Sequence, residues 1–249
     1  MAFHTLSLLH FPLPRFQRPV TSCGLRLTDD AVRVAVALRL GCSVCVAHTC
    51  RCGELVDTQG LHGLVCKQAP SRIARHQAIN DVVACAISTS GTPVMKEPVG
   101  LTRLDGKRPD GLTLIPWQDG KSLTWYVTVV STVADSYLHL TCHSAGGAAE
   151  IASVRKESKY SALPSDYLFK PIAFENLGPL NGSGLDFLSE VGRRLSASSQ
   201  DPRETSFLFQ RLSVLIQRYN SVLILESFCS DEDPDLIATV DILFLASCF

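Results

Sequence analysis

Apolar positions recur with a helical period in LTDDAVRVAVALRLG, where Thr28 or Asp29 can cap the start and Gly41 suits the C-terminal stop. In SRIARHQAINDVVACAISTSG, Ile73, Ile79, Val82, Val83, Ala86 and Ile87 share one broad face, with Arg72, Arg75, His76 and Gln77 largely on the other. That pattern predicts a helix over about 71–88, ended by Gly91. The segments PVMKEPVGL, DGLTLIPW and SLTWYVTVVST then read as strands, separated by the turn-rich LDGKRPDG and QDGK. GGAAEIASVRKESKY predicts a second helix, and FKPIAFENLG a fourth strand with a proline near its start. GLDFLSEVGRRLSASS and ETSFLFQRLSVLIQRYNSVLILESF add two helices, the second apolar on most faces and so suited to packing on the core. The expected fold class is α+β in three layers, with a core running helix, three-strand meander, helix, strand, and further helices after it.

A chain of 249 residues with 46% hydrophobic residues can bury a real core, as one large domain or two small ones. Its boundaries fall into a segment of uncertain order over 1–26, a helix and Cys/His-rich loop over 27–70, a main domain over 71–228, and an acidic, apolar tail over 229–249. In MAFHTLSLLHFPLPRF, Pro12 and Pro14 interrupt the apolar run and no basic residue precedes it, so it makes a poor signal sequence or membrane span; an organelle-targeting segment is the weaker alternative. The tail, interrupted by Asp241, is too short to span a bilayer. Ten cysteines without a signal peptide point to a reducing, intracellular compartment where thiols bind metal or pack as small apolar groups. The net charge of -1 conceals an asymmetry: the tail carries five acids and no base, so the remainder stands at +4. Between Lys67 and Lys121, eight Lys or Arg face five acids, a modest bias that suits phosphates or a merely solvated surface.

TCRCGELVDTQGLHGLVC holds Cys50, Cys52, His62 and Cys66, that is C-x-C, nine residues, His, three residues, Cys. Four soft or borderline donors within a glycine-punctuated loop are what a structural, tetrahedral zinc site requires. Cys42 and Cys45 form a separate C-x2-C that could displace Cys50 and Cys52, but at a helix end in an apolar run they read as packing thiols.

KRPDG followed by TWYVTV, with this knuckle upstream, resembles the restriction-like endonuclease domain of site-specific non-LTR retrotransposons and related reverse-transcriptase open reading frames. The resemblance runs from about residue 27 to 225 through RHQAIND, EPVGLTRLDGKRPDG, KYSAL, PIAFENLG and QRLSVLIQRYN. It implies a PD-(D/E)XK nuclease-like core, a Cys-Cys-His-Cys knuckle made of the four residues above, an Arg-Pro-Asp motif at Arg108, Pro109 and Asp110, and a second acid within a Trp-Asp-x-Thr motif. Here Trp125, Tyr126, Val127 and Thr128 occupy that last motif, so Tyr126 stands where the family has Asp.

The implied chemistry is metal-dependent DNA cleavage, with Mg2+ or Mn2+ held by two carboxylates against the scissile phosphate and a lysine beside the attacking water. Asp110 would be the first carboxylate, or else a turn residue capping its own backbone. A phenol with a pKa of about 10 is a poor ligand for a hard cation at neutral pH. Lys156 and Lys159, one turn apart on the second predicted helix, could supply the lysine or be solvated. Glu97 could be an auxiliary ligand on the first strand, and Asp105 or Asp119 could replace the missing carboxylate. Arg72, Arg75, His76, Arg103, Lys107 and Arg108 are the candidate nucleic-acid contacts. The expected partners are DNA and the reverse-transcriptase portion of a larger polyprotein, with nuclear localisation if functional and no membrane. Two readings stay open: a nuclease domain weakened or silenced by Tyr126, and a non-catalytic, zinc-stabilised nucleic-acid-binding or structural module.

Overall fold

The computed structural model describes residues 25–103 and 105–228, so the expectations for the N-terminal apolar run and the acidic tail lie outside the described residues. Helix α1 (Asp29–Leu40) opens on Thr28, whose hydroxyl accepts from Ala31 N at 3.3 Å, and stops at Gly41, where φ of 69° is left-handed backbone. A two-strand hairpin follows, β1 (His48–Thr49) and β2 (Leu55–Val56), then the short α2 (Leu61–Val65). Helix α3 (Ser71–Thr89) leads to β3 (Val94–Lys96), a 3-10 turn, β4 (Gly111–Thr113) and β5 (Ser122–Val130). Helices α4 (Asp135–Thr141) and α5 (Gly147–Lys159) cross over to β6 (Tyr167–Glu175), and α6 (Gly182–Ser199) and α7 (Glu204–Leu225) complete the order. α4 was not expected from the sequence pattern. Its seven residues carry no fully buried side chain, so no apolar stripe marks it.

The main sheet has the order β3-β4-β5-β6, antiparallel through the first three strands and parallel between β5 and β6. Pro171 is tolerated in β6 because that strand pairs with β5 alone. Alternation along β5 separates its two faces. Leu123, Trp125 and Val127 enter the main core with Ile79, Ile87 and Leu188, all fully buried, while Tyr126 turns to the α5 side. α3 and α6 cover the first face, α5 covers the second, and α7 lies behind α3 and α6. Ala149 and Ala152 of α5 meet Ala173 of β6, small residues that allow helix and sheet to approach closely.

The crossover is fixed by buried polar groups. Glu175, 1% exposed, accepts from Ala148 N at 2.9 Å and Ala149 N at 3.3 Å, capping α5 from the end of β6. Asn181 accepts from Ala173 N and donates to Ser153 Oγ and Pro171 O, tying α6, α5 and β6 together.

The faces of α3 differ from those expected. Ile73 is 66% exposed and Arg75 only 4%. The first turn of α3 packs beside the knuckle, where Ser71 donates to Glu226 at the end of α7. Only from Ile79 onward does the helix cover the sheet and follow a helical apolar period.

Candidate functional site

The Cys/His loop folds around a common centre. One ligand atom each from Cys50, Cys52, His62 and Cys66 lies within 4.8 Å of all the others. The Cys50 and Cys66 sulfurs are 3.8 Å apart, close to the spacing of about 3.8 Å that a tetrahedron with Zn–S of about 2.3 Å demands. Cys52 Sγ and His62 Nε2 stand at 3.1 Å. The set is soft and tetrahedral in kind, and it fits Zn2+ in a structural role. Burial pushes the Cys50 thiol up to about 11, whereas the backbone hydrogen bond at Glu54 lowers the Cys52 thiol, and a bound cation would hold both as thiolates. Cys45 takes no part: it is 1% exposed and points at Asp57 O, 3.3 Å away, as a packing thiol. Cys42 packs beside Val44 and Leu64.

The knuckle is seated on the end of α7. The His48 ring stacks on Phe228 at 3.8 Å, Arg51 Nε donates to Phe228 O at 2.7 Å, and His48 Nε2 meets Ser227 Oγ at 2.8 Å. Gly63 of α2 lies against α7 so closely that a Cβ there would meet Ile224 Cα at 3.1 Å and Leu223 O at 3.2 Å. Val34 and Ala37 of α1, Leu64 and Ile224 form one small core, so α1, knuckle and α7 are fastened together.

The second cluster forms where β4, β5 and α5 meet. Asp110, 7% exposed, stands immediately before β4. Its backbone N donates to Trp125 O at 2.9 Å, and its carbonyl accepts from Glu97 N at 3.0 Å and Asn80 Nδ2 at 3.2 Å. Both carboxylate oxygens are engaged: Oδ2 accepts from Val127 N at 2.6 Å and Oδ1 lies 3.2 Å from His76 Nε2. An ionised carboxylate only accepts, so in that state of Asp110 the contact is made with His76 Nε2 as donor. Asn80 also accepts from Trp125 Nε1 at 2.8 Å, and the Gly111 that follows Asp110 leaves room for that indole. The glycine of the Pro-Asp-Gly run is therefore dictated by Trp125 as much as by the turn.

Tyr126 lies beside this carboxylate. Burial raises its phenol above the usual value and the Asp110 charge raises it further, so it is a neutral hydroxyl at pH 7. Lys156 Nζ sits 3.6 Å from the centre of the Tyr126 ring. Burial lowers the Lys156 ammonium to about 8, the Lys159 and Lys107 charges push the same way, and Asp110 opposes them.

The remaining candidates do not join this cluster. Glu97 stands just past β3 rather than within it, with φ of 50°, and its carboxylate pairs with Arg108, which holds it below the ordinary range. Lys159 pairs with Asp105 at 3.3 Å, and Arg103 with the same carboxylate at 3.4 Å. Asp119, with φ of 51°, occupies the turn before β5, on the order of 20 Å along the strand from Tyr126. Among the described residues the Asp110 cluster thus offers a single carboxylate, already bonded on both oxygens, and does not fit Mg2+ or Mn2+, which require further oxygen ligands.

The predicted nucleic-acid contacts divide into two sets. Arg103 and Arg108 are paired with Asp105 and Glu97, and Lys107 N bonds Asp105 Oδ1 at 3.2 Å. Arg72, Arg75 and His76 instead line a cleft of about 390 Å3 between the N-terminal turn of α3 and the end of β5. The sequence pattern did not reveal Asn80, the His76–Asp110 contact, or Tyr160, whose hydroxyl donates to Arg108 O at 2.8 Å and whose ring lies 5.7 Å from that of Tyr126. The run RHQAIND was the available signal, since residues four apart on a helix share a face and here point at one carbonyl and one carboxylate.

No protein-family model matches the chain, and no curated protein matches it. No helix among the described residues is long and apolar enough to cross a membrane.

Proposed function

We propose that the chain is a restriction-like endonuclease domain of the retroelement type whose metal centre is lost, and that it binds DNA without cutting it efficiently. The observation that carries the reading is a convergence: Lys156 on the crossover helix lies over the Tyr126 ring of the third strand, and the Asp110 charge at the second strand acts on both, in the order helix, three strands, helix, strand. A PD-(D/E)XK core uses this arrangement to place two carboxylates and a lysine around a scissile phosphate. On this reading Asp110 and Lys156 take the places of one carboxylate and the lysine, and the neutral Tyr126 phenol takes the place of the other carboxylate. The bonds from His76 and Val127 to Asp110 favour a structural use of that carboxylate, which is why the binding-module reading enters the proposal. The structural zinc at Cys50, Cys52, His62 and Cys66, and the link to a reverse-transcriptase polyprotein acting on nuclear DNA, belong to the same reading.

A nicking assay on supercoiled plasmid with Mg2+ or Mn2+ tests it. The unmodified chain is expected to nick at background level, Tyr126→Asp to gain metal-dependent nicking of at least about tenfold, and Asp110→Ala on that background to remove it. Robust cleavage by the unmodified chain, or none by Tyr126→Asp, would count against the proposal.

A further inference from the structure

The cleft beside α3 contains a buried cation that has no counter-ion among the described residues. Arg75 is 4% exposed, and neither Nε nor Nη1 of its guanidinium has a hydrogen-bond acceptor among the described residues. Among the described residues no carboxylate pairs with it, and burial together with the neighbouring Arg72 charge lowers it to about 10. A guanidinium cannot shed its proton at neutral pH, so an unpaired one in a wall of the protein is a standing penalty that a bound anion removes. Lys67, Arg72 and His76 line the same cleft together with Tyr126 and Thr128 of β5, and no carboxylate among the described residues is part of its lining.

We infer that this cleft seats one phosphate group of a DNA backbone, with Arg75 as its buried anchor and Arg72 and Lys67 at its rim. The inference rests on the DNA-binding part of the reading above, and it assigns to that reading the place where the backbone is gripped. The planar guanidinium fork matches the tetrahedral oxyanion in shape and charge. The loop basic residues Arg103 and Arg108 each have a carboxylate partner, Asp105 and Glu97, and so have less need of an added anion than Arg75. The seat borders Tyr126, so a strand held there passes the Asp110–Lys156 cluster.

The test uses the full chain, inorganic phosphate and a labelled double-stranded oligonucleotide of mixed sequence, with Arg75→Leu, Arg75→Lys and Arg103→Gln as variants. Phosphate is expected to raise the melting temperature of the unmodified chain beyond chloride at equal ionic strength, and Arg75→Leu to abolish that rise. Arg75→Leu should weaken oligonucleotide binding about tenfold and make the log–log salt dependence shallower by about one, whereas Arg103→Gln changes binding less than about twofold. Equal responses in Arg75→Leu and the unmodified chain, or an equal loss in Arg103→Gln, would overturn the seat. A phosphate response without any Arg75 effect on the oligonucleotide would overturn the DNA assignment and leave a site for free phosphate. Should Arg75→Leu fail to fold, the Nε–H resonance of Arg75, assigned by its absence in Arg75→Lys, must shift with both probes in the unmodified chain, and a fixed resonance refutes the seat. Failure of Tyr126→Asp to nick, with Arg75-dependent binding intact, would sink the metal-centre reading and leave the seat standing.

Discussion

Lys156 shows how one substituted residue changes the chemistry of its neighbours. With Asp at position 126 an ammonium beside it would gain a charge partner; with Tyr it gains a ring face and loses water. The ring favours the charged form, burial opposes it, and burial prevails in setting the value near 8. Between about 8 and 10.5 the unfolded chain therefore holds more protons at this site than the folded one, and stability rises with pH through that window. Lys156→Met should flatten the rise, measured as the difference between variant and unmodified chain in urea unfolding at about pH 7 and about pH 10. At the lower pH the variant should be more stable by no more than about 1 kcal/mol, because solvent still reaches the ammonium and screens its penalty. An unchanged pH dependence would show that Lys156 is not desolvated in solution.

Glycines at element contacts decide how closely the helices and strands approach. Gly63 brings α2 onto α7 with backbone atoms as its only near neighbours within 3.4 Å of an added Cβ, so no side-chain rotation relieves a substitution. Gly63→Ala should destabilise the chain by about 1–3 kcal/mol, read as a fall in the urea midpoint at unchanged slope. Gly41→Ala, where nothing lies within 4 Å of an added Cβ, should lose less, since only the left-handed backbone at φ of 69° resists it. Equal losses at the two sites would show that α2 does not pack on α7 as described. The long α7 is thus a spine: α1, α2, α3 and α6 all lie against it, and its last turns support the knuckle.

For the whole molecule, zinc is the proposed fastener between that knuckle and the spine. Metal analysis should find one zinc per chain, lost in a Cys52→Ser, His62→Ala double variant. Chelation should lower the melting temperature, because structural zinc binding is folding free energy. The loss should be felt at α1 and the α7 end, through Val34, Leu64 and Ile224, before it is felt in the sheet, and amide exchange can read that order. Zinc retained undiminished by the double variant would rule the site out.

Much of this architecture is written locally. Thr28 and Gly41 bound α1 by capping chemistry, the period-two pattern of SLTWYVTVVST sets β5, and the close spacing of Cys50, Cys52, His62 and Cys66 brings four donors within reach of one centre. Composition and local pattern determine such features because their partners lie within a few residues. What only the tertiary structure decided involves partners far apart in the chain. Arg75 and Ile73 exchanged their expected exposures because α3 begins beside the knuckle and α7, a neighbour supplied by residues about 150 positions later. Lys156 rather than Lys159 reached Tyr126 because the Asp105 loop captured Lys159. Glu97 was lost to Arg108, and His76 was turned onto Asp110. A charge on a helix carries no sign of which counter-charge will face it, since burial and pairing are properties of the packed surface and not of the residue.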